Sequence, residues 1–210
     1  MKTILCYGDS LTWGYTPVTG ERYPRDVRWT GVMARALGPE YEVISEGLNG
    51  RTTVFDVFYD PALNGEPPLP AILASHMPLD LVILMLGTND LQLGRTAWEA
   101  SRGARKLVRM INGRPECFRA RQPRVLLVSP PHVGANIRDV DDTPIALNGR
   151  AESLLFAQQY MYVAKREECA FFDAGAVAEP SELDAEHLTA EGNRLLGEAM
   201  AEKVKKLFCE

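Results

Sequence analysis

The sequence predicts an α/β fold, a three-layer α/β/α sandwich in which one parallel five-stranded sheet carries helices on both faces. Three observations lead there. Five short apolar runs alternate with stretches of helical periodicity. Two of those runs, 80–86 and 124–129, are continuous rather than alternating, as strands covered on both sides are. The 210 residues contain no internal repeat, low-complexity tract or linker. Residues 1–210 therefore read as a single domain with one full core.

The strands are expected at 3–8 (TILCYG), 42–46 (EVISE), 80–86 (DLVILML), 124–129 (RVLLVS) and 170–175 (AFFDAG). Between the first two, Trp29, Val32, Met33, Ala36 and Leu37 recur at helical spacing, and Gly38 supplies a stop. Thr96-Ala97-Trp98-Glu99 has the form of a capping box, opening a helix that runs to about Asn112. A longer helix is expected over roughly 149–168, and a last one from near Thr189 to Leu207. Residues 47–70 and 130–148, rich in Gly, Pro and Asn, read as irregular loops of the length that usually carries function.

Composition narrows the partners. Apolar residues make up 46% of the chain and the formal net charge is −5, so there is no basic footprint for nucleic acid or an anionic membrane. No apolar run reaches the length of a membrane span. The apolar stretch after Lys2 is too short for a signal peptide, which favours a cytoplasmic protein. Cys6, Cys117, Cys169 and Cys209 show neither a CxxC spacing nor a disulfide-dense pattern, and read as reduced thiols.

In an open α/β sheet, ligands bind beyond the carboxyl ends of the strands. Ser10 follows the first strand in GDS, Gly47 and Gly50 follow the second, and Asn89 follows the third in GTND. His132 follows the fourth, and Asp184 and His187 come after the fifth. A serine hydroxyl is a weak nucleophile that needs a base, and the chain has only His76, His132 and His187 to offer. His76 precedes the third strand, at the amino end of the sheet. His187 lies three residues after Asp184, a spacing that lets the carboxylate take Nδ1–H while Nε2 faces a serine. His132 has no such carboxylate and is better placed to line a pocket. Oxyanion donors are available in the N–H groups of Ser10 and Gly50 and in the amide of Asn89.

The blocks GDSL, Gly47/Gly50, GTND and DxxH, in that order, resemble the SGNH (GDSL) hydrolase superfamily over nearly the whole chain. The flanking segments ILCYGDSLTWGY, DVRWTGVMARALG, EGLNGRTT, PLDLVILMLGTND and LLVSPP resemble the bacterial arylesterase/acyltransferase branch, sometimes described as perhydrolases. The resemblance implies the flavodoxin-like SGNH fold, with Ser10 as nucleophile, Asp184 and His187 completing a triad, and Ser10, Gly50 and Asn89 forming the oxyanion hole. It implies a small aryl or short-chain acyl ester as substrate, no cofactor or metal, and acyl transfer to water, an alcohol or peroxide. It also implies homo-oligomers in some members. Segment 134–150 matches that branch least well and is expected to shape the pocket or an interface.

Trp13 and Asn49 stand beside these residues as candidate pocket lining, although Trp13 fits a core position equally well. Asp9 and Asp90 read as loop-tying carboxylates, and Arg51 as a surface or loop-pinning residue. Trp29, Phe55, Val57 and Phe58 are either core or part of a contact between copies. Two rival functions remain. Asp9, Asp90, Asp184 and His187 around a divalent metal would make a phosphoesterase. A non-catalytic ligand-binding module on the same sheet is the other.

Overall fold

The computed structural model describes residues 1–113 and 122–209, so Cys117 lies outside the described residues. Five parallel strands, β1 (Lys2–Gly8), β2 (Tyr41–Gly47), β3 (Leu81–Met85), β4 (Arg124–Ser129) and β5 (Ala170–Asp173), form one sheet in the order β2-β1-β3-β4-β5. That is the flavodoxin-like order, whose connections reverse direction between β1 and β3. Registers such as Leu5↔Val82 and Leu5↔Ile44 bring the ends of β2, β1 and β3 level.

Period-2 alternation divides the strand residues between two cores. Leu5, Tyr7, Val82, Leu84 and Leu127 face one cluster, covered by α3 (Leu69–Ser75), α5 (Ala97–Asn112) and α8 (Phe156–Arg166). Ile4, Cys6, Ile83, Met85 and Val128 face the other, covered by α2 (Trp29–Leu37) and α9 (Ala190–Cys209). All five residues of β3 are buried, as the continuous apolar run requires. The capping box at Thr96 and Glu99 is formed, and Gly38 ends α2 at φ +84°. Ala36, counted with the apolar stripe of α2, is exposed.

The expected helix 149–168 is two helices, α7 (Pro144–Ser153) and α8, broken at Leu154-Leu155. Ser153 explains the break, because its hydroxyl donates back to Arg150 O while accepting from Val133 N. Such bonds compete with the helical ladder. The early start follows from Pro144 at the first helical position. The expected loops also hold short elements: a 3₁₀ turn at Pro61–Leu63, the start of α3, and α6 (Ile137–Val140). Two one-turn helices, α1 (Ser10–Trp13) and α4 (Thr88–Gln92), sit directly on the ends of β1 and β3. Trp29 and Val57 belong to the core, whereas Phe58 is 95% exposed. Among the described residues no helix is long and apolar enough to cross a membrane.

Candidate active site

Ser10 is the first residue of α1, two residues beyond the end of β1. Asp9 makes that placement possible: its Oδ1 accepts from Leu11 N at 3.0 Å and caps the turn. The other capping requirement is steric. A Cβ on Gly47 would lie 2.1 Å from Trp13 N, so only glycine at the end of β2 lets α1 rest against the sheet.

His187 reaches this serine from the far end of the chain, with Nε2 2.9 Å from Ser10 Oγ. Its Nδ1 lies 2.8 Å from Asp184 Oδ2, while Asp184 Oδ1 accepts from the backbone N–H groups of Glu186 and His187. Burial opposes ionisation of Asp184. The bonds from the His187 ring and these backbone donors outweigh it and hold the carboxyl below its usual range. The turn between the two carries Ala185 at φ +60°, fully buried, a left-handed conformation that costs a residue with a Cβ roughly 1–2 kcal/mol.

Gly50 has φ +77°, and no acceptor among the described residues takes its N–H. The Ser10 N–H, at the first position of α1, has no partner within its helix. Asn89, buried on α4, donates one amide hydrogen to Arg51 O at 3.1 Å and retains a second. Arg51 is the pin of this loop rather than a surface group. It is 4% exposed, donates to Gly8 O and Glu46 O, and stacks its guanidinium 4.2 Å from the Tyr7 ring centroid. One buried arginine thus ties the ends of β1 and β2 and, through its carbonyl, the Asn89 amide.

Asp90 is fully buried and accepts from Thr53 N and Thr53 Oγ1, and burial pushes its carboxyl up to about 7. Asp9, also fully buried, is raised to about 6 by the same cause. Asp90 is tied to the loop at Thr53, Asp9 caps its own turn through Oδ1 while its Oδ2 has no partner among the described residues, and Asp184 is bound to His187. Among the described residues no three His, Cys, Asp or Glu side chains come together as a metal cluster.

The remaining candidates make no side-chain hydrogen bond to Ser10 or His187 among the described residues. His132 packs its ring against Gly175, beyond β5, with Nε2 only 2.6 Å from where a Cβ would stand. His76 pairs with Glu46 at 2.8 Å. Trp13 is half-buried at the end of α1, where Arg22 stacks on its ring and donates to its carbonyl. Asn49 is half-buried beside Gly50, its Oδ1 enclosed with no partner among the described residues.

Two neighbours escaped the sequence reading. Tyr15 lies with its ring centroid 4.2 Å from that of His187, and Glu186 is 8% exposed and bound through both oxygens by Gln92 Nε2. Burial raises the Glu186 carboxyl to about 7. Tyr15 closes the segment ILCYGDSLTWGY and Glu186 fills a variable place in DxxH, so neither stood out within its block. Adjacency to Ser10 and His187 in the chain was the one available signal.

Relatives among solved structures share this geometry's framework. An aryl esterase from M. smegmatis is 42% identical, with a TM-score of 0.89 over 99% of this chain and 100% of its own. A carbohydrate acetylesterase from Sinorhizobium meliloti is 40% identical, with a TM-score of 0.91 over 99% and 100%. A G-D-S-L family protein from Veillonella parvula, at 15% identity and a TM-score of 0.71 over 98% and 99%, shares the fold. No curated protein matches the chain. The model of the GDSL-like lipase/acylhydrolase family matches residues 6–195, from the middle of β1 into α9, and the chain belongs to that family.

Proposed function

We propose that the chain is a carboxylic ester hydrolase acting on small aryl or short-chain acyl esters through an acyl-enzyme on Ser10. One observation carries this reading: Ser10 Oγ, the His187 ring and the Asp184 carboxylate stand in a hydrogen-bonded line of 2.9 and 2.8 Å. His187 Nε2 takes the hydroxyl proton as Oγ attacks the ester carbonyl, and Asp184 stabilises the imidazolium while fixing its tautomer. Negative charge develops on the carbonyl oxygen, where the N–H groups of Ser10 and Gly50 and the free amide hydrogen of Asn89 receive it. Donors of this kind contribute roughly 3–4 kcal/mol each. His187 then protonates the departing alkoxide or phenoxide. Water attacks the acyl-enzyme with His187 as base, and the acid leaves. An alcohol or peroxide in place of that water gives acyl transfer.

The similarity to an aryl esterase and a carbohydrate acetylesterase supports the substrate class. Self-association through the loop carrying Phe58 and Tyr59, 95% and 70% exposed, belongs to the same proposal and is read by sedimentation.

The deciding experiment is fluorophosphonate labelling of the folded protein with peptide mass spectrometry, beside turnover of p-nitrophenyl acetate. A single adduct on Ser10, absent in Ser10→Ala, together with turnover indifferent to EDTA, is the expected result. An unlabelled Ser10 with EDTA-sensitive phosphoester cleavage would overturn it in favour of the metal-dependent reading. An unlabelled Ser10 with no ester turnover would favour a binding module.

A further inference from the structure

Beyond the far end of α1 lies a recess of about 250 Å³, lined by Arg22, Arg25, Arg28, Thr30, Gly31 and Ser45 among others, with no acidic side chain in its wall. Among the described residues none of the three guanidiniums forms a salt bridge. Arginine cannot relieve such crowding by losing a proton at any ordinary pH. The crowding registers nevertheless: burial first, then the charges of Arg22 and Arg25, lower the pKa of Arg28.

Arg22 and Arg28 are held by their nitrogen nearest the stem, and the exposed Arg25 side chain makes no hydrogen bond among the described residues, which leaves the three forks uncommitted. Arg22 Nε donates to Trp13 O and Arg28 Nε to Tyr23 O, at 2.8 and 2.7 Å. The Arg25 carbonyl lies where a Cβ on Gly31 would stand, so the 22–28 segment is packed hard against the first turn of α2. An independent feature points the same way. The nine-residue helix α2 has no side-chain cap from Arg28, and although Trp29 N is taken by Asn193 Oδ1, no acceptor among the described residues takes Thr30 N. Gly31 N and Val32 N both donate to Arg28 O, so Thr30 N, on a residue of the recess wall, is the one donor of the first turn left over.

We propose that this recess is a binding site for a small oxyanion of the phosphate class. Its volume is below the roughly 300–1,000 Å³ of pockets for drug-sized ligands, which suits a compact ion or the phosphoryl end of a small phosphomonoester. Guanidinium forks match phosphoryl oxygens in pairs, and the α2 backbone supplies a further donor. The site is separate from the Ser10 line and does not depend on the esterase reading. It is mechanically connected to it, because Arg22 pairs with Tyr15 across an antiparallel bridge and Tyr15 stacks on His187.

The test is calorimetric titration of the intact protein with inorganic phosphate against sodium chloride at matched ionic strength, repeated with glycerol phosphate. Saturable binding of phosphate, weakened about tenfold or more in Arg25→Gln and restored in part by Arg25→Lys, is the expected result. Tighter binding of glycerol phosphate would assign the site to a phosphomonoester, and equal binding to the inorganic ion. Arg25 makes no hydrogen bond through its side chain among the described residues, so the variant is expected to melt as the parent does without phosphate. Should it misfold, Arg22→Gln serves in its place. Absence of saturable binding, or binding unchanged in both variants, overturns the proposal.

Discussion

An imidazole held between a serine hydroxyl and a carboxylate makes the cost of removing each member calculable in kind. His187→Ala is expected to lower kcat by several orders of magnitude without loss of the fold, while His132→Ala, removing a ring that packs on Gly175 and makes no bond to Ser10 or Asp184, leaves kcat near the parent's. A reversal of these two outcomes in steady-state kinetics would move the base to His132. Glu186 gives a second, thermodynamic expectation. Its carboxyl titrates near 4.5 when unfolded and is raised to about 7 by burial, ahead of the lowering effect of the Gln92 bond. Between those values the folded chain keeps a proton that the unfolded chain has lost. Stability therefore falls as pH rises through this window and levels off above about 7. Glu186→Gln should flatten the fall by a few kcal/mol at most, read as a smaller difference in Tm between pH 5 and pH 8. Asp9 and Asp90, raised to about 6 and about 7, act in the same direction and leave a residual slope in the variant. An unchanged slope would mean that Glu186 is not proton-bound in the native state at pH 5. Ser10, Asp184 and His187, which the structure brings into contact, were legible because each follows a strand in a recognisable block, and Gly50 and Asn89 were nominated in the same way. Tyr15 and Glu186 were not, since a stacked ring and a buried glutamate leave no spacing to read.

At the scale of elements, α1 depends on the bare backbone at Gly47. Gly47→Ala places a methyl 2.1 Å from Trp13 N, and because the obstacle is backbone, α1 must move. The expected outcome is loss of most activity on p-nitrophenyl acetate, with a shift of Ser10 away from His187 visible by crystallography. Retention of full activity would show that the sheet edge yields instead. The Asp184–His187 turn behaves in the opposite way. Ala185→Gly relieves a left-handed conformation, so it should cost no stability, despite the usual penalty of roughly 0.5–1 kcal/mol for glycine. Thermal melting decides the point. Periodicity and caps made α2, α5, α9 and all five strands readable to within a few residues. The α7–α8 break was not readable, because it is set by Ser153 bonding to Val133, a contact across the fold. One-turn helices such as α1 and α4 carry too few residues for any period to register.

For the molecule as a whole, the outer layer on the α2–α9 side packs through an apolar core in which one buried amide links the two helices. Asn193, 2% exposed on α9, accepts from Trp29 N and donates to Leu188 O and Thr189 O. Asn193→Ala strands the first N–H of α2 in a dry interface and should destabilise by about 1–3 kcal/mol, measured by urea unfolding; a change below 0.5 kcal/mol would mean that water replaces the amide there. The three-layer architecture itself was legible from alternation alone; the strand order came only with the resemblance and its flavodoxin-like fold, since order depends on which crossovers close rather than on any local pattern. The Ser10–His187 contact spans 177 positions along the chain. During synthesis, therefore, the segment bearing the hydroxyl leaves the ribosome long before its imidazole partner has been made. Contacts of such sequence separation close late and slowly. Under the proposed acyl-enzyme mechanism, the nascent chain would stay inert towards esters until the segment bearing His187 has docked against Ser10.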